Sequence, residues 1–285
     1  LFTTEGIEQY VTGVIMHDGT IRNFTDEKEQ FVDVLLAKGV IPIIKVDKST
    51  VPHTGFPGEV VTQGLDDLGK RFAEYYDMGA RAAKWRAVFN ITDELPSEQN
   101  IVFDCITLAR YAALAQEAGI VPMVEPEVIF SGNHSLERAE AVTTQVLQKL
   151  FELLEWYGID RTGLILKSSM VLAGSEHAEQ TAPAAVAEAT LRTFDNSVPH
   201  DVPGIVFLSG GQTPDRATEN LAAIAQAEQV RGGLPWELAF SFSRGIELPV
   251  QEVWQGDPQN VEGAQEMLLE RLQMTSNADK GVFQE

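Results

Sequence analysis

Short apolar runs alternate along the chain with longer segments in which hydrophobic residues recur with a period of about 3.6. Each apolar run has the length of one β-strand, and each periodic segment has the pattern of a helix with one buried face. We therefore predict strands around residues 11–17, 41–47, 81–89, 120–128, 163–171, 204–211 and 236–244. Helices are predicted at residues 26–38, 65–78, 99–118, 136–156, 184–194 and 215–228.

Turn and cap residues mark the ends of several predicted helices. Ser135 and Thr213 stand where a side-chain oxygen caps the start of a helix. Glycine commonly ends a helix, and four helical segments are followed by one, at Gly39, Gly79, Gly119 and Gly158.

The alternation of strands and helices predicts an α/β fold with parallel strands, since parallel neighbours need a long connection. The strand runs are largely apolar, as expected for strands that are covered on both faces. Two architectures fit, an open doubly wound sheet and a closed (β/α)8 TIM barrel. Nearly every strand carries charged residues towards its carboxyl end, and only a closed barrel brings all of these ends to one site. We therefore predict the barrel.

Seven strands are one fewer than a (β/α)8 barrel needs. We expect the missing first strand to precede Leu1. Residues 1–285 would then form a single domain made of barrel strands two to eight and C-terminal helices. No linker or low-complexity segment divides the chain.

The charge balance narrows the range of partners. The chain has 42 acidic and 21 basic side chains, a formal net charge of −21, so we expect neither nucleic acid nor an anionic membrane surface as a partner. No apolar stretch approaches the length of a membrane span, and no targeting segment is recognisable. The single cysteine, Cys105, lies in a helical pattern and fits a packing role in a reducing compartment. These features predict a cytoplasmic protein.

Charged residues inside the apolar strands indicate an active site. Lys167 is the clearest example, because lysine is strongly hydrated and rarely buried. Side chains alternate along a strand, so Lys45 and Asp47 share a face, as do Lys84 with Arg86 and Glu125 with Glu127. A buried salt bridge explains any one of these pairs as well as catalysis does. With Arg244 at the end of the run 236–244, five strands carry charges, and together they favour catalysis.

A lysine among carboxylates and other cations suits covalent catalysis through a Schiff base. The amine must be neutral to attack a carbonyl, and both burial and a neighbouring ammonium such as Lys84 lower its pKa. Proton transfers into and out of the carbinolamine then need a carboxyl group such as Glu125. The five histidines are scattered, and we predict neither a metal site nor a cofactor.

Two segments near the end of the chain predict a phosphate site. The turn with Ser209, Gly210 and Gly211 follows one strand, and the segment from Ser241 through Ser243 to Arg244 follows the next. Backbone amides and one arginine bind phosphate well, and barrels commonly place such a site after their last two strands. A tight turn alone explains Ser-Gly-Gly equally well, but its position favours phosphate binding.

Seven ordered motifs resemble those of the class I fructose-bisphosphate aldolases. They span almost the whole chain, which makes the resemblance specific. The motifs are Ile-Lys-Val-Asp-Lys at 44–48, Thr-Gln-Gly-Leu-Asp at 62–66, Ala-Lys-Trp-Arg at 83–86, Val-Pro-Met-Val-Glu-Pro-Glu at 121–127, Leu-Lys-Ser-Ser-Met-Val at 166–171, Leu-Ser-Gly-Gly-Gln at 208–212 and Phe-Ser-Phe-Ser-Arg at 240–244.

The resemblance implies a metal-independent and usually tetrameric barrel. Such an enzyme cleaves fructose 1,6-bisphosphate reversibly into dihydroxyacetone phosphate and glyceraldehyde 3-phosphate. Lys167 matches the Schiff-base lysine, Glu125 its acid and base, Glu127 a carboxylate companion beside Lys84, and Lys84 the lysine that polarises the site. Residues that match phosphate ligands are Ser209, Gly210 and Arg244, with the Ser243 amide, for one phosphate, and Lys45 and Arg86 for the other.

One departure from the family pattern concerns catalysis. The first strand of the family ends in an Ala-Asp-Glu-Ser-type motif whose aspartate takes part in carbon–carbon cleavage, and no such motif occurs before Val11 or elsewhere. We expect the full-length protein to be active. The 285-residue piece alone is expected either to form the imine and cleave poorly or not to fold stably.

Two alternatives stay open at this point. The chain could be another Schiff-base sugar-phosphate aldolase, although two phosphate sites favour a bisphosphate substrate. It could also be a non-catalytic binding protein on the same fold. The joint presence of Lys167, Lys84 and Glu125 speaks against that reading, because a binding module needs no buried neutral amine.

Overall fold

A computed structural model describes residues 1–283, so Gln284 and Glu285, the last two residues of the predicted domain, lie outside the described part. Seven of its strands form one parallel sheet, and two short strands, Thr50–Pro52 and Val60–Thr62, form a separate antiparallel hairpin. The strands are β1 (Gly13–Met16), β2 (Ile41–Lys45), β3 (Thr50–Pro52), β4 (Val60–Thr62), β5 (Ala82–Phe89), β6 (Val121–Val128), β7 (Ile165–Ser168), β8 (Gly204–Phe207) and β9 (Glu237–Phe240).

Helices connect successive strands of the sheet and cover its outer face. Two more helices follow the last strand. The helices are α1 (Asp18–Ile21), α2 (Phe31–Ala37), α3 (Leu68–Asp77), α4 (Glu98–Glu117), α5 (Leu136–Trp156), α6 (Pro183–Ser197), α7 (Pro214–Arg231), α8 (Arg244–Trp254) and α9 (Val261–Asp279). Within residues 1–283, no helix is long and apolar enough to cross a membrane.

The strand order decides between the open doubly wound sheet and the closed barrel, the two architectures that fit the sequence. In the large sheet the order is β1, β2, β5, β6, β7, β8, β9, which is the order along the chain. A doubly wound sheet reverses its strand order at a switch point, whereas a barrel wall follows the chain in one direction. The sheet is therefore a barrel wall. Among the described residues, no strand joins β1 to β9.

The predicted strands are all present, but five of the seven, β1, β2, β7, β8 and β9, end before their apolar runs do. Asp47, Ser209 and Arg244 lie beyond the last paired residues of β2, β8 and β9. The predicted caps are confirmed: the Ser135 side chain accepts from the Arg138 amide and the Thr213 side chain from the Arg216 amide, both at helix starts. The four helix-ending glycines all have positive φ, between 70° and 107°.

Two local predictions were wrong or incomplete. The helix expected from Asp26 begins only at Phe31, because the preceding residues form a turn in which the Thr25 amide donates to the Glu29 carbonyl at 2.8 Å. The hairpin of β3 and β4 was not predicted. Each of its strands has three residues, which is too short to show the alternation of a β-strand.

The inner face of the sheet has an apolar layer at its amino-terminal end. This floor consists of buried Ile43, Ala82 and Met123 with the half-buried Ile15, Ile165 and Val206 packed against them. A larger core lies between the outer face and the helices, where Trp85 of β5 packs on Tyr111 of α4 with ring centroids 5.6 Å apart. The floor closes the inside of the wall from below and leaves the carboxyl ends of the strands as the position for a site.

Candidate active site

A layer of charged side chains lies directly above the apolar floor. Residues two apart on a strand share a face, and four charged residues follow a floor residue at that spacing. They are Lys45 after Ile43, Lys84 after Ala82, Glu125 after Met123 and Lys167 after Ile165. The structure thus brings together, at one place, charges that are far apart in sequence. We call Lys45, Asp47, Lys84, Glu125 and Lys167 the charged layer.

Ion pairs of alternating sign connect the charged layer. Lys45 Nζ lies 2.5 Å from Asp47 Oδ1, and Lys84 Nζ lies 3.8 Å from Asp47 Oδ2. Lys84 Nζ also lies 2.8 Å from Glu125 Oε2, and Lys167 Nζ lies 3.3 Å from Glu125 Oε1. All of these side chains except Lys45 are less than a tenth exposed, so their charges interact at low effective dielectric.

Asp47 is the functional candidate whose importance the sequence did not reveal. Lys45 and Lys84 are direct register partners on β2 and β5, so two ammonium groups stand side by side. The Asp47 carboxylate contacts both and compensates their repulsion, and it also accepts from the Arg86 amide at 3.3 Å. The available signal was its i, i+2 relation to Lys45, which placed it on the inner face without indicating its bridging position.

Lys167 combines deep burial with charges of both signs. Burial lowers its pKa, Glu125 raises it and Lys84 lowers it, and the net result is a pKa below the usual lysine value. The Lys167 ammonium also donates to Ser241 Oγ at 3.1 Å. A larger neutral fraction of the amine makes Lys167 a better nucleophile than an exposed lysine at the same pH.

Glu125 keeps its charge although it is buried. Burial alone would raise its pKa, but Lys167 and Lys84 outweigh that effect and bring the pKa below the ordinary glutamate value. Its two oxygens face two different amines. This arrangement allows one carboxylate to exchange protons with the nucleophile while it stays anchored to Lys84.

The second glutamate has a different neighbour from the one we expected. Glu127 was predicted beside Lys84, but its Oε2 accepts a close hydrogen bond from Arg86 Nε, and the carboxylate next to Lys84 is that of Glu125. The strand register explains the difference. Arg86 pairs with Glu125 in the ladder, so each cation of β5 reaches forward to the carboxylate two residues further along β6.

The turn after β8 and the start of α8 lie side by side at the mouth of the wall. Gly210 and Gly211 have φ of 61° and 90°, a conformation that favours glycine, and the Gln212 amide closes the turn on the Ser209 carbonyl at 3.0 Å. A Cβ placed on Gly211 would lie 3.5 Å from the Arg244 guanidinium. The arginine therefore lies against the glycine turn, as an anion site requires.

Backbone amides are available in the same place. Arg244 and Gly245 belong to the first turn of α8, whose amides have no carbonyl partner within the helix. Ser243 and Arg244 are exposed, and the Ser243 hydroxyl donates to Glu247 at 2.9 Å, so Ser243 presents its backbone rather than its side chain. A helix start with free amides and an arginine binds anions well.

The single cysteine has a packing role. Cys105 is fully buried, and burial raises the pKa of its thiol. Within residues 1–283, no group of three histidine, cysteine, aspartate or glutamate side chains could hold a metal ion.

Comparisons of the sequence with known proteins all match the same family. A family model described as class-I fructose-bisphosphate aldolase matches residues 1–285. The chain is 42% identical over 283 residues to cytosolic fructose-bisphosphate aldolase 4 of Arabidopsis thaliana and covers 71% of that protein. It is 44% identical over 284 residues to a probable class 1 fructose-bisphosphate aldolase of Xanthomonas axonopodis, of which it covers 84%.

The fold also matches that of a solved structure. The fructose-bisphosphate aldolase of Plasmodium falciparum, solved in complex with TRAP and a small-molecule inhibitor, matches with a TM-score of 0.96 and 39% identity. The match covers 100% of this chain and 82% of that one. The predicted (β/α)8 barrel class is thereby confirmed.

Proposed function

Because this chain belongs to the class-I fructose-bisphosphate aldolase family, we propose that it cleaves fructose 1,6-bisphosphate reversibly with Lys167 as the nucleophile. The products are dihydroxyacetone phosphate and glyceraldehyde 3-phosphate, so the protein is a carbon–carbon lyase. The position of Lys167 supports this role. Its amine is buried at the carboxyl end of a barrel strand, has a lowered pKa and lies 3.3 Å from a buried carboxylate.

The first half of the reaction captures the substrate. The neutral Lys167 amine attacks the C2 carbonyl of the open-chain sugar, the carbonyl oxygen takes up a proton, and the product is a carbinolamine. Loss of water then gives a protonated imine. Glu125 is the group we assign to these proton transfers, since one of its oxygens faces Lys167 and the other is held by Lys84.

The second half breaks the carbon chain. Removal of the C4 hydroxyl proton lets the C3–C4 electron pair move towards the positively charged imine nitrogen, which gives an enamine on Lys167 and free glyceraldehyde 3-phosphate. Protonation of the enamine at C3 and hydrolysis then release dihydroxyacetone phosphate. Lys84 stabilises the ionised form of Glu125 through both halves.

The two phosphates are assigned by their distance from the reacting carbon. The C1 phosphate is one carbon from the imine, so we assign it to Ser209, Gly210, Gly211 and the start of α8. Ser241, which contacts Lys167 at 3.1 Å, leads directly into that helix start. The C6 phosphate is four carbons from the imine, and we assign it to Lys45 and Arg86 on β2 and β5.

The family membership also supports proposals for the oligomeric state and the cellular location of the protein. We propose a homo-oligomer, a tetramer by family resemblance, that binds sugar phosphates in the cytoplasm. The names of similar plant proteins support that location, for they include a cytosolic enzyme of Arabidopsis thaliana and a cytoplasmic isozyme of Pisum sativum.

The test is inactivation by borohydride in the presence of dihydroxyacetone phosphate. We expect cleavage of fructose 1,6-bisphosphate to persist in EDTA, and to be lost permanently when borohydride reduces the imine formed with the triose phosphate. Borohydride without triose phosphate is the control and should leave the activity unchanged. Activity that survives reduction in the presence of triose phosphate would contradict the Schiff-base mechanism.

A further inference from the structure

A buried arginine lies behind the proposed C1-phosphate site and has no role in the chemistry described above. Arg271 is on α9 and is only 5% exposed. Arginine is among the residues least often found fully buried, and a buried charge costs stability unless it is well paired. The only carboxylate within 4 Å of its guanidinium among the described residues is Asp215, whose side chain is 79% exposed. Charge pairing alone therefore explains the burial of Arg271 poorly.

The contacts of Arg271 join two helix starts. Its Nη1 donates to Asp215 Oδ1 at 2.8 Å, and its Nη2 donates to Thr218 Oγ1 at 3.2 Å, both in the first turns of α7. The same Nη2 lies 3.4 Å from the carbonyl oxygen of Gly245, in the first turn of α8. The Thr218 hydroxyl in turn donates to the Pro214 carbonyl at 2.8 Å, which ties the contact to the first residue of α7.

These helix starts carry the two halves of the proposed phosphate site. Helix α7 follows the Ser209 to Gln212 turn directly, and α8 begins with Arg244 itself. The halves touch each other, because a Cβ placed on Gly245 would lie 3.2 Å from the Ser209 Cβ. A group that fixes α7 relative to α8 therefore fixes the glycine turn relative to Arg244.

We propose that Arg271 is a positioning residue for the C1 phosphate: its planar guanidinium holds the first turns of α7 and α8 at the spacing at which Arg244 and the turn amides reach one phosphate. This proposal rests on the proposed function for the identity of the ligand. It predicts that a loss of the guanidinium fork weakens binding of phosphate groups and leaves the chemistry at Lys167 intact.

The informative variant is Arg271→Lys. Lysine keeps the charge but has a single donor atom at its tip, so it cannot span Asp215, Thr218 and the Gly245 carbonyl together. We expect KM for fructose 1,6-bisphosphate and the inhibition constant of inorganic phosphate both to rise about tenfold, with kcat within about threefold of wild type. Borohydride trapping of dihydroxyacetone, which has no phosphate, should proceed at the wild-type rate.

Arg192→Lys is the matched control. Arg192 also makes a two-pronged contact, with Glu140 at 2.6 and 2.7 Å, but on the exposed surface of α6. This substitution should change neither KM nor phosphate inhibition. Asp215→Asn serves as the second variant if Arg271→Lys does not fold, and it should raise the phosphate inhibition constant about threefold because Arg271 then loses its charged partner on α7.

Three results would overturn the proposal. The first is an Arg271→Lys enzyme with unchanged KM and phosphate inhibition and only a lower melting temperature. The second is a variant that has lost dihydroxyacetone trapping as well as phosphate affinity. The third is unchanged phosphate affinity in calorimetry with inorganic phosphate alone. A wild-type protein that traps no triose would contradict the proposed function instead, and the calorimetric comparison would still decide the role of Arg271.

Discussion

The charged layer and the proposed phosphate site lie close together but are built differently. The charged layer consists of side chains that project from paired strands, are buried and already contact one another. The proposed phosphate site consists of backbone amides of a glycine turn and a helix start, with an exposed arginine. Proton transfer and nucleophilic attack depend on pKa values, which burial and neighbouring charges set. Binding a dianion depends on donors that stay accessible to solvent.

The comparison predicts that substitutions in the two regions change different kinetic parameters. Changes in the charged layer should act on kcat and on the pH profile. Changes at the phosphate site should act on KM for phosphorylated substrates and spare the imine chemistry.

Lys167→Arg should have the largest effect. A guanidinium has no neutral amine at any accessible pH, so it forms no imine. We expect kcat to fall at least about 10⁴-fold, as for other enzymes that lose their nucleophile. The measurement is cleavage of fructose 1,6-bisphosphate under saturating substrate. Lys38→Arg is the control and should keep wild-type activity, because Lys38 pairs with Glu8 at 3.4 Å and contacts no member of the charged layer. A fall of less than tenfold at Lys167 would place the nucleophile elsewhere.

Glu125→Gln should lower kcat by about 10²- to 10⁴-fold through loss of the acid and base. It should also move the pH dependence of imine trapping. Glu125 raises the pKa of Lys167, so its removal lowers that pKa further. The amine then stays neutral to a lower pH, and the acid limb of the trapping rate shifts towards lower pH. An acid limb that moves to higher pH would show that Glu125 does not act on Lys167 in this way.

Arg244→Ala should affect binding rather than chemistry. A charge-assisted hydrogen bond contributes about 1.5–3 kcal/mol, so KM for fructose 1,6-bisphosphate should rise about 10- to 100-fold. Trapping of unphosphorylated dihydroxyacetone should be unchanged, which separates the two regions in a single variant. Arg231→Ala, at an exposed surface ion pair with Asp195, is the control and should leave KM unchanged. Equal loss with both trioses would mean that Arg244 supports the imine site itself.

Asp104, a buried carboxylate outside both regions, tests the electrostatic part of the comparison. Asp104 on α4 accepts from the Thr62 amide at 3.3 Å but has no cation beside it, and its Oδ2 has no partner among the described residues. Burial raises its pKa from 3.8 to about 7, whereas paired Glu125 has a lowered pKa. The folded protein therefore holds more protons than the unfolded chain between these values, and its free energy of unfolding falls as the pH rises through this window.

Asp104→Asn should remove the pH dependence that Asp104 adds to the free energy of unfolding. Of the variants proposed here, it should change activity least. The amide oxygen still accepts from Thr62, and no charge has to be buried. At pH 8 the variant should be more stable than wild type by on the order of 2–4 kcal/mol, and at pH 4 the two should be nearly equal. Thermal or urea unfolding at both pH values measures the difference, and kcat should stay within about twofold. A variant that is less stable at pH 8 would contradict the assignment.

The sequence predicts the charged layer better than the phosphate site, for a physical reason. A lysine such as Lys167 in an apolar strand is unusual enough to be noticed, and the two-residue alternation places it on the inner face. Partners across strands depend on register, which the sequence does not give. Glu127 was therefore paired with the wrong cation, and the bridging position of Asp47 was missed. Arg271 gave no signal, because an arginine on a C-terminal helix is usually exposed.

Mapping the site of the imine tests the central claim most directly. The protein would be incubated with dihydroxyacetone phosphate, reduced with borohydride, digested and analysed by peptide mass spectrometry. The buried and partly neutral amine of Lys167 predicts a single reduced triose phosphate adduct, on the peptide that contains residue 167. An adduct on Lys45 or Lys84, or no adduct in an active sample, would contradict the assignment of Lys167 as the nucleophile.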